Sequence, residues 1–221
     1  MTSVIFNTPG ATTTGSTLEI GKGINERAVN LVNAFEVSDD AQANGLNYSK
    51  FIYAETSAPT GSFSYLTYGN WFECSRCDTE TEVIVEGAYV YGLATHPNNI
   101  PTIGKATYLG SITGIFTDKL SNITLNTKAD LNASVDFSAR TVNFITTNTS
   151  WVGLTPALDM AATLSYNAGV NEFSGPVVST LLNGTATGKF FGPDAKELGG
   201  VYTLQGAAGN HDGAFVGKNF Q

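Results

Sequence analysis

Gly188-Lys-Phe-Phe-Gly-Pro-Asp-Ala-Lys-Glu-Leu-Gly-Gly-Val-Tyr202 is the stretch on which the fold turns. It reads as a strand, one helical turn and a second strand. Pro193 opens the turn at no hydrogen-bonding cost, because its missing N–H would be unpaired there anyway. Asp194 sits at the favourable, positive start of that turn. Gly199 is the residue expected to end it in the left-handed region. Gly213-Ala-Phe-Val-Gly-Lys218 follows and predicts a terminal hairpin with Val201–Leu204.

Upstream of this block the chain alternates. Tyr108, Gly110, Ile112, Gly114 and Phe116 share one face, and Leu131, Ala133, Val135 and Phe137 share another. Leu158, Met160, Ala162, Leu164 and Tyr166 repeat the pattern, with polar residues between them. A period of two gives each strand one buried and one wet face. With Val142/Phe144, the Phe173 region, Thr185–Phe191, Val201–Leu204 and Ala214–Lys218, roughly eight strands result. Small residues on the inward face suit a tightly closed barrel.

Residues 1–100 read differently. Residues 1–15 read as a loose arm or an edge strand. Ile24, Ala28, Leu31, Val32 and Phe35 fall at helical spacing, with a strand as the competing reading because Asn and Val are poor helix formers. Residues 38–47 read as loop. Phe51–Tyr53, Phe63–Tyr68, Val83–Val85 and Ala88–Tyr91 are aromatic and β-branched and predict strands. Thr95-His-Pro-Asn-Asn-Ile-Pro101 makes a connector. The expectation is a mainly β chain: a small mixed N-terminal ligand-binding domain over 1–100, then an eight-stranded antiparallel β-barrel over 101–221.

Composition narrows the function classes. Charged residues are 14% and hydrophobic residues 42% of 221, a profile of a folded, turn-rich β protein. The net charge of −8, with 11 Lys+Arg and no basic run, argues against nucleic acid. No apolar stretch of about 18 residues is present to cross a membrane as a helix. Met1-Thr-Ser-Val4 has neither a charged n-region nor an apolar h-region. That leaves a cytosolic protein or a mature secreted chain with an added start Met, and the composition favours the second. There is no P-loop, nucleophile elbow or His-Glu-x-x-His, so no enzyme is expected.

Cys74-Ser-Arg-Cys77 is followed by Asp78, not His, which argues against covalent haem attachment. A zinc site lacks a second ligand pair, and a thioredoxin-like motif lacks its βαβ context. The plain reading is a local disulfide in an oxidising compartment. The aromatic set Tyr48, Phe51, Tyr53, Phe63, Tyr65, Tyr68, Trp71 and Phe72 reads as core before it reads as a pocket lining. On residue type alone His96 is a polar member of a His-Pro-Asn-Asn turn. His211, in Asn-His-Asp-Gly213, reads as part of a hairpin turn.

Several blocks resemble the bacterial transferrin-binding protein B family and its smaller surface-lipoprotein relatives. They are Tyr65–Trp71, Pro101–Gly110, Leu131–Phe137 with Thr141–Phe144, Phe173–Gly175, Phe190–Gly200 and Phe215–Lys218. A single lobe without a visible anchor cysteine looks most like the hemophilins, secreted haem-binding members of that group. This resemblance implies non-covalent haem b held in the N-terminal domain, with His96 as axial iron ligand presented by Pro97. It also implies delivery of haem, free or from a host haem protein, to an outer-membrane receptor by a secreted monomer. Lys22, Arg27, Lys50 and Arg76 are the N-terminal cations available to haem propionates. The alternative is a single-lobe surface protein that binds a host protein, transferrin or an innate-immunity factor, without a cofactor.

Overall fold

The computed structural model describes the backbone of residues 2–6, 12–14, 17–20, 27–30, 37–43, 46–55, 57–58, 61–75, 83–121, 123–151, 153–154 and 156–220, and side chains within 63–70, 87–150 and 157–220. The N-terminal strands are β1 (Thr2–Phe6), β2 (Thr12–Thr14), β3 (Thr17–Ile20), β4 (Arg27–Asn30), β5 (Val37–Ala43), β6 (Leu46–Glu55), β7 (Ser57–Ala58), β8 (Gly61–Ser62), β9 (Leu66–Ser75) and β10 (Val83–Leu93). The remaining strands are β11 (Lys105–Asp118), β12 (Thr124–Asp136), β13 (Thr141–Trp151), β14 (Gly153–Leu154), β15 (Ala161–Tyr166), β16 (Phe173–Val178), β17 (Asn183–Phe191), β18 (Glu197–Gln205) and β19 (Gly209–Asn219).

The second group closes on itself. The order β12-β11-β19-β18-β17-β16-β15-β13 is completed by pairing of β12 with β13, which makes an eight-stranded antiparallel barrel. β14 is a two-residue appendage on β13. Closure removes every free edge from the barrel strands. Its seam joins the first barrel strand to the last, from Tyr108↔Asn219 to Asp118↔Gly209.

The alternating positions point inward as expected. Tyr108, Ile112, Phe116, Leu131, Ala133, Val135, Phe144, Leu164, Phe173, Phe190, Leu198, Tyr202 and Phe215 form one buried core. Phe190 stands against Phe137, Tyr166 and Phe173, and Phe215 against Phe144. Pro193–Ala195 forms a one-turn 3-10 helix over this end of the barrel. Ala195 is buried, and its carbonyl accepts a 2.7 Å bond from the Tyr108 hydroxyl. The turn begins at Pro193 as the sequence suggests. It ends earlier than expected: Asp194 and Ala195 take positive φ, and β18 has begun by Glu197. Gly199 therefore caps nothing. It lies mid-strand, where a Cβ would press on Val90 and Leu66 of the neighbouring sheet.

That sheet is five-stranded, in the order β1-β10-β9-β6-β5. It lies on the outer wall of the barrel at β18, β19 and β11. Phe63, Leu66, Tyr68, Ala88 and Val90 pack there against Phe191, Val201, Ala214 and Val216 in a second buried cluster. Polar bonds pin the same contact: Tyr68 Oη to Ser111 Oγ at 2.6 Å, and Thr113 Oγ1 donating to Asn70 Oδ1 at 2.6 Å. This part of the wall is buried on both faces, so its outward residues are small or apolar where a wet face would carry charges.

Two sequence expectations are corrected. Residues 37–43 form β5 where 38–47 read as loop, because pairing with β6 supplies ladder bonds that outweigh the turn-prone Asp and Asn content. Residues 27–30 form β4 within the run spaced as a helix, paired to β3 from Thr17↔Asn30 to Ile20↔Arg27; the competing strand reading holds there. β1 is an edge strand of its sheet, as one reading of residues 1–15 has it.

Candidate functional site

The chain passes from sheet to barrel through Ala94–Pro101, and this connector is itself part of the packing. Leu93 N–H donates to Tyr65 O, and Leu93 O accepts from Gly192 N, each at 2.8 Å. Ala94 bridges to Phe191, and Thr95 donates its N–H to Phe190 O and its hydroxyl to Gly192 O. Asn171, buried in the β15–β16 connection, clamps the pair. Its amide donates to Thr95 O at 2.7 Å and Phe190 O at 2.9 Å, and its oxygen accepts from Phe190 N at 2.8 Å. Asn171→Ala takes this partner from Thr95 O and Phe190 N, while Phe190 O keeps the Thr95 N–H, and each buried unpaired group costs about 1–3 kcal/mol. The expected loss, about 2–4 kcal/mol, is read as a lower urea midpoint at unchanged slope.

His96 follows Thr95. Its ring is exposed, and its Nδ1 accepts the amide N–H of Asn98 at 3.2 Å, capping the one-turn helix Pro97–Asn99. That bond requires the neutral tautomer with its proton on Nε2. A haem ligand needs the opposite arrangement, a bare ring nitrogen aimed into an apolar cleft. Among the described residues a polar turn lies beside His96, and most N-terminal side chains that could wall a cleft lie outside them. Residues 76–82, and with them Arg76 and Cys77, lie outside the described residues, as does Lys22. The side chains of Arg27, Lys50, Tyr48, Phe51, Tyr53, Trp71, Phe72 and Cys74 do too. Phe63 and Tyr68 are core between sheet and barrel, not pocket lining.

His211 is displaced from its expected setting. It lies inside β19, opposite Phe116 of β11 and Leu204 of β18, and points into the barrel. Two flanking ladders override the turn preference of Asn-His-Asp-Gly. Its Nε2 lies 2.7 Å from Thr127 Oγ1 and 3.0 Å from Tyr202 Oη, and its buried Nδ1 has no partner. Burial pushes its pKa down to about 3.

Glu197 falls within the stretch that the sequence predicts as a helical turn between Pro193 and Gly199. It is the first residue of β18 and fully buried. Its carboxylate reaches the N-terminal part of the chain, where Oε1 accepts Ser64 N–H at 2.7 Å and Oε2 accepts Tyr65 N–H at 2.9 Å. Burial raises its pKa, while the amide bonds and Lys218, directly across the ladder, work the other way.

The exposed apolar residues fall at the loops and on one side of the barrel. Leu120, 94% exposed, stands on the β11–β12 hairpin, whose backbone is held by Asp118 Oδ1 accepting from Leu120 N and Ser121 N. Ile103 and Phe220 are exposed at the opposite end. Across the barrel from the N-terminal sheet, a groove of about 510 Å³ is lined by Asn132, Asn143, Ile145, Ala161, Pro176 and Val178, among others.

Residues 100–219 match the family model for the C-lobe and N-lobe beta barrels of Tf-binding protein B. The chain belongs to that family. A transferrin-binding protein B of Haemophilus influenzae (strain 86-028NP) is 29% identical over 166 residues, 66% of this chain and 26% of that protein. The chain thus spans about a quarter of the length of the curated relatives it matches. Intact Ap-TbpB, with its N and C lobes, superposes with a TM-score of 0.63 at 14% identity, over 99% of this chain and 46% of that one. A transferrin-binding protein B variant from Actinobacillus pleuropneumoniae H49 is covered over 98% of its own length, with a TM-score of 0.55 and 13% identity. These structural likenesses concern the fold; the family rests on the barrel match. In this member of the Tf-binding protein B barrel family, the specific block Gly188–Tyr202 supplies the barrel's plug and the carboxylate that holds the loop before β9.

Proposed function

We propose that this chain is a surface-displayed lobe that binds a host protein, transferrin being the first candidate, through exposed apolar residues on a rigid barrel-and-sheet frame. The carrying observation is the match of residues 100–219 to the Tf-binding protein B barrels, with relatives named for transferrin binding. The exposed apolar side chains at Leu120, Ile123, Ile145 and Val178 are the kind of surface that a protein partner covers. Nothing in this role calls for a cofactor or for bond-making chemistry.

The test is binding of immobilised chain to iron-loaded and iron-free transferrin, alongside absorption spectroscopy during titration with hemin. Saturable transferrin binding, weakened at least tenfold by substitution of exposed apolar residues, is the expected result. A Soret band that forms on hemin addition and is lost in His96→Ala, without transferrin binding, would replace this reading with haem capture by a secreted carrier of the hemophilin type.

A further inference from the structure

Near the rim of the barrel that carries the 119–123 and 206–208 loops, the interior brings together the imidazole of His211, the phenol of Tyr202 and the hydroxyl of Thr127. Tyr202 and His211 stack edge-on with ring centroids 5.0 Å apart, and Phe116 closes the other side at 6.2 Å. Gly114 and Gly213 leave the space: a Cβ on either would run into the Tyr202 hydroxyl, and one on Gly114 would also meet His211 Nε2. The cluster sits where β11, β12, β18 and β19 converge, and its ring has one satisfied nitrogen and one orphan.

We propose that His211 is a proton-sensitive latch on this end of the barrel, shut while the imidazole is neutral and released when the ring takes a second proton. A doubly protonated ring places a charged Nδ1–H where the interior offers no acceptor. The ionisable groups around it do not compensate. Tyr202 on β18 is a buried neutral phenol, its pKa raised by burial. Asp212 on β19 is adjacent in sequence, with its side chain on the opposite face of the strand. Asp118 on β11 is engaged by the amides of Leu120 and Ser121, and Asp159, before β15, by Thr149. Lys128 on β12 and Lys119 on the hairpin are exposed.

The sign follows from linkage. The folded chain holds His211 neutral down to about pH 3, whereas an unfolded histidine protonates near 6.5. The stabilisation is complete above pH 6.5 and is lost as pH falls through that window, by up to about tenfold in the unfolding constant per pH unit. Urea denaturation of the wild type and His211→Gln between pH 7.5 and pH 4.5 isolates this one proton. The expected result is a steeper fall for the wild type, approaching tenfold per pH unit below pH 6. Parallel pH profiles would overturn the proposal. If His211→Gln does not fold, carbon NMR of the wild-type ring decides: a ring that stays neutral through pH 4.5 supports the latch, and a midpoint near 6.5 sinks it. Hydrogen exchange, corrected for its intrinsic pH dependence, locates the opening. Protection should fall first at residues 113–118 and 209–213; uniform loss around the barrel argues against a latch.

Discussion

Replacing Glu197 with Ala is expected to loosen the N-terminal sheet from the barrel and to cost about 3–5 kcal/mol. The estimate comes from two charge-assisted bonds, at Ser64 and Tyr65, each worth about 1.5–3 kcal/mol, offset in part by relief of carboxylate burial. For a chain of this size that lowers the melting temperature by roughly 10 °C. Glu197→Gln keeps an acceptor and loses the charge, so its loss should be about half as large. The damage should also be local, with protease cutting near Ser64 and Tyr65 before the barrel is touched. A melting temperature for Glu197→Ala within about 2 °C of wild type would show that these bonds contribute nothing net.

Gly200→Val is the second large effect. Gly200 pairs with Gly188 across β17 and β18, and both face the core beneath the rings of Phe173 and Phe215. A Cβ at 200 would collide with Thr187 O, Phe215 and Gly188, two of them backbone neighbours that cannot swing away. Overpacking of a core typically costs about 1–3 kcal/mol, and a clash against backbone exceeds that. The expected product is a chain that retains far-UV β signal but loses the near-UV signature of fixed aromatic packing. Gly169→Ala is the control. There φ is +74 and the space is open, so only left-handed strain of about 1–2 kcal/mol is expected. If the two variants melt together, steric closure at 188 and 200 is not what holds the barrel.

The barrel was legible because its inward residues repeat every second position from Tyr108 to Tyr166, and that period follows from backbone geometry alone. What the period does not carry is which outer face another sheet will cover. Ser111, Thr113 and Ile115 look like the wet side of β11, yet all are buried beneath or beside the N-terminal sheet. The smallness of Ser111, Thr113, Gly199 and Ala214 was the available signal. β5 was missed for a related reason: Ser-Asp-Asp has weak strand preference of its own and is carried by its partner strand.

The site was harder to read. His96 drew attention as one of two histidines; it caps its own turn, and no local pattern separates a capping histidine from a ligand. His211 was hidden by turn-prone neighbours, and only pairing on both sides makes it interior. Glu197 was visible as part of a specific block, while its partners lie 133 and 132 residues away in sequence. No local pattern encodes such a distance.

The seam between β11 and β19 sets a timetable for biogenesis. The wall on which the N-terminal sheet rests includes Ala214 and Val216 of β19, the last barrel strand to be made. As the chain leaves the ribosome, that resting place does not exist until about residue 216 has emerged. Until then the apolar faces of both halves are open to solvent and to one another. The order of synthesis thus gives escorts and misassembly partners the same interval in which to act, and it ends only when the final strand zips shut.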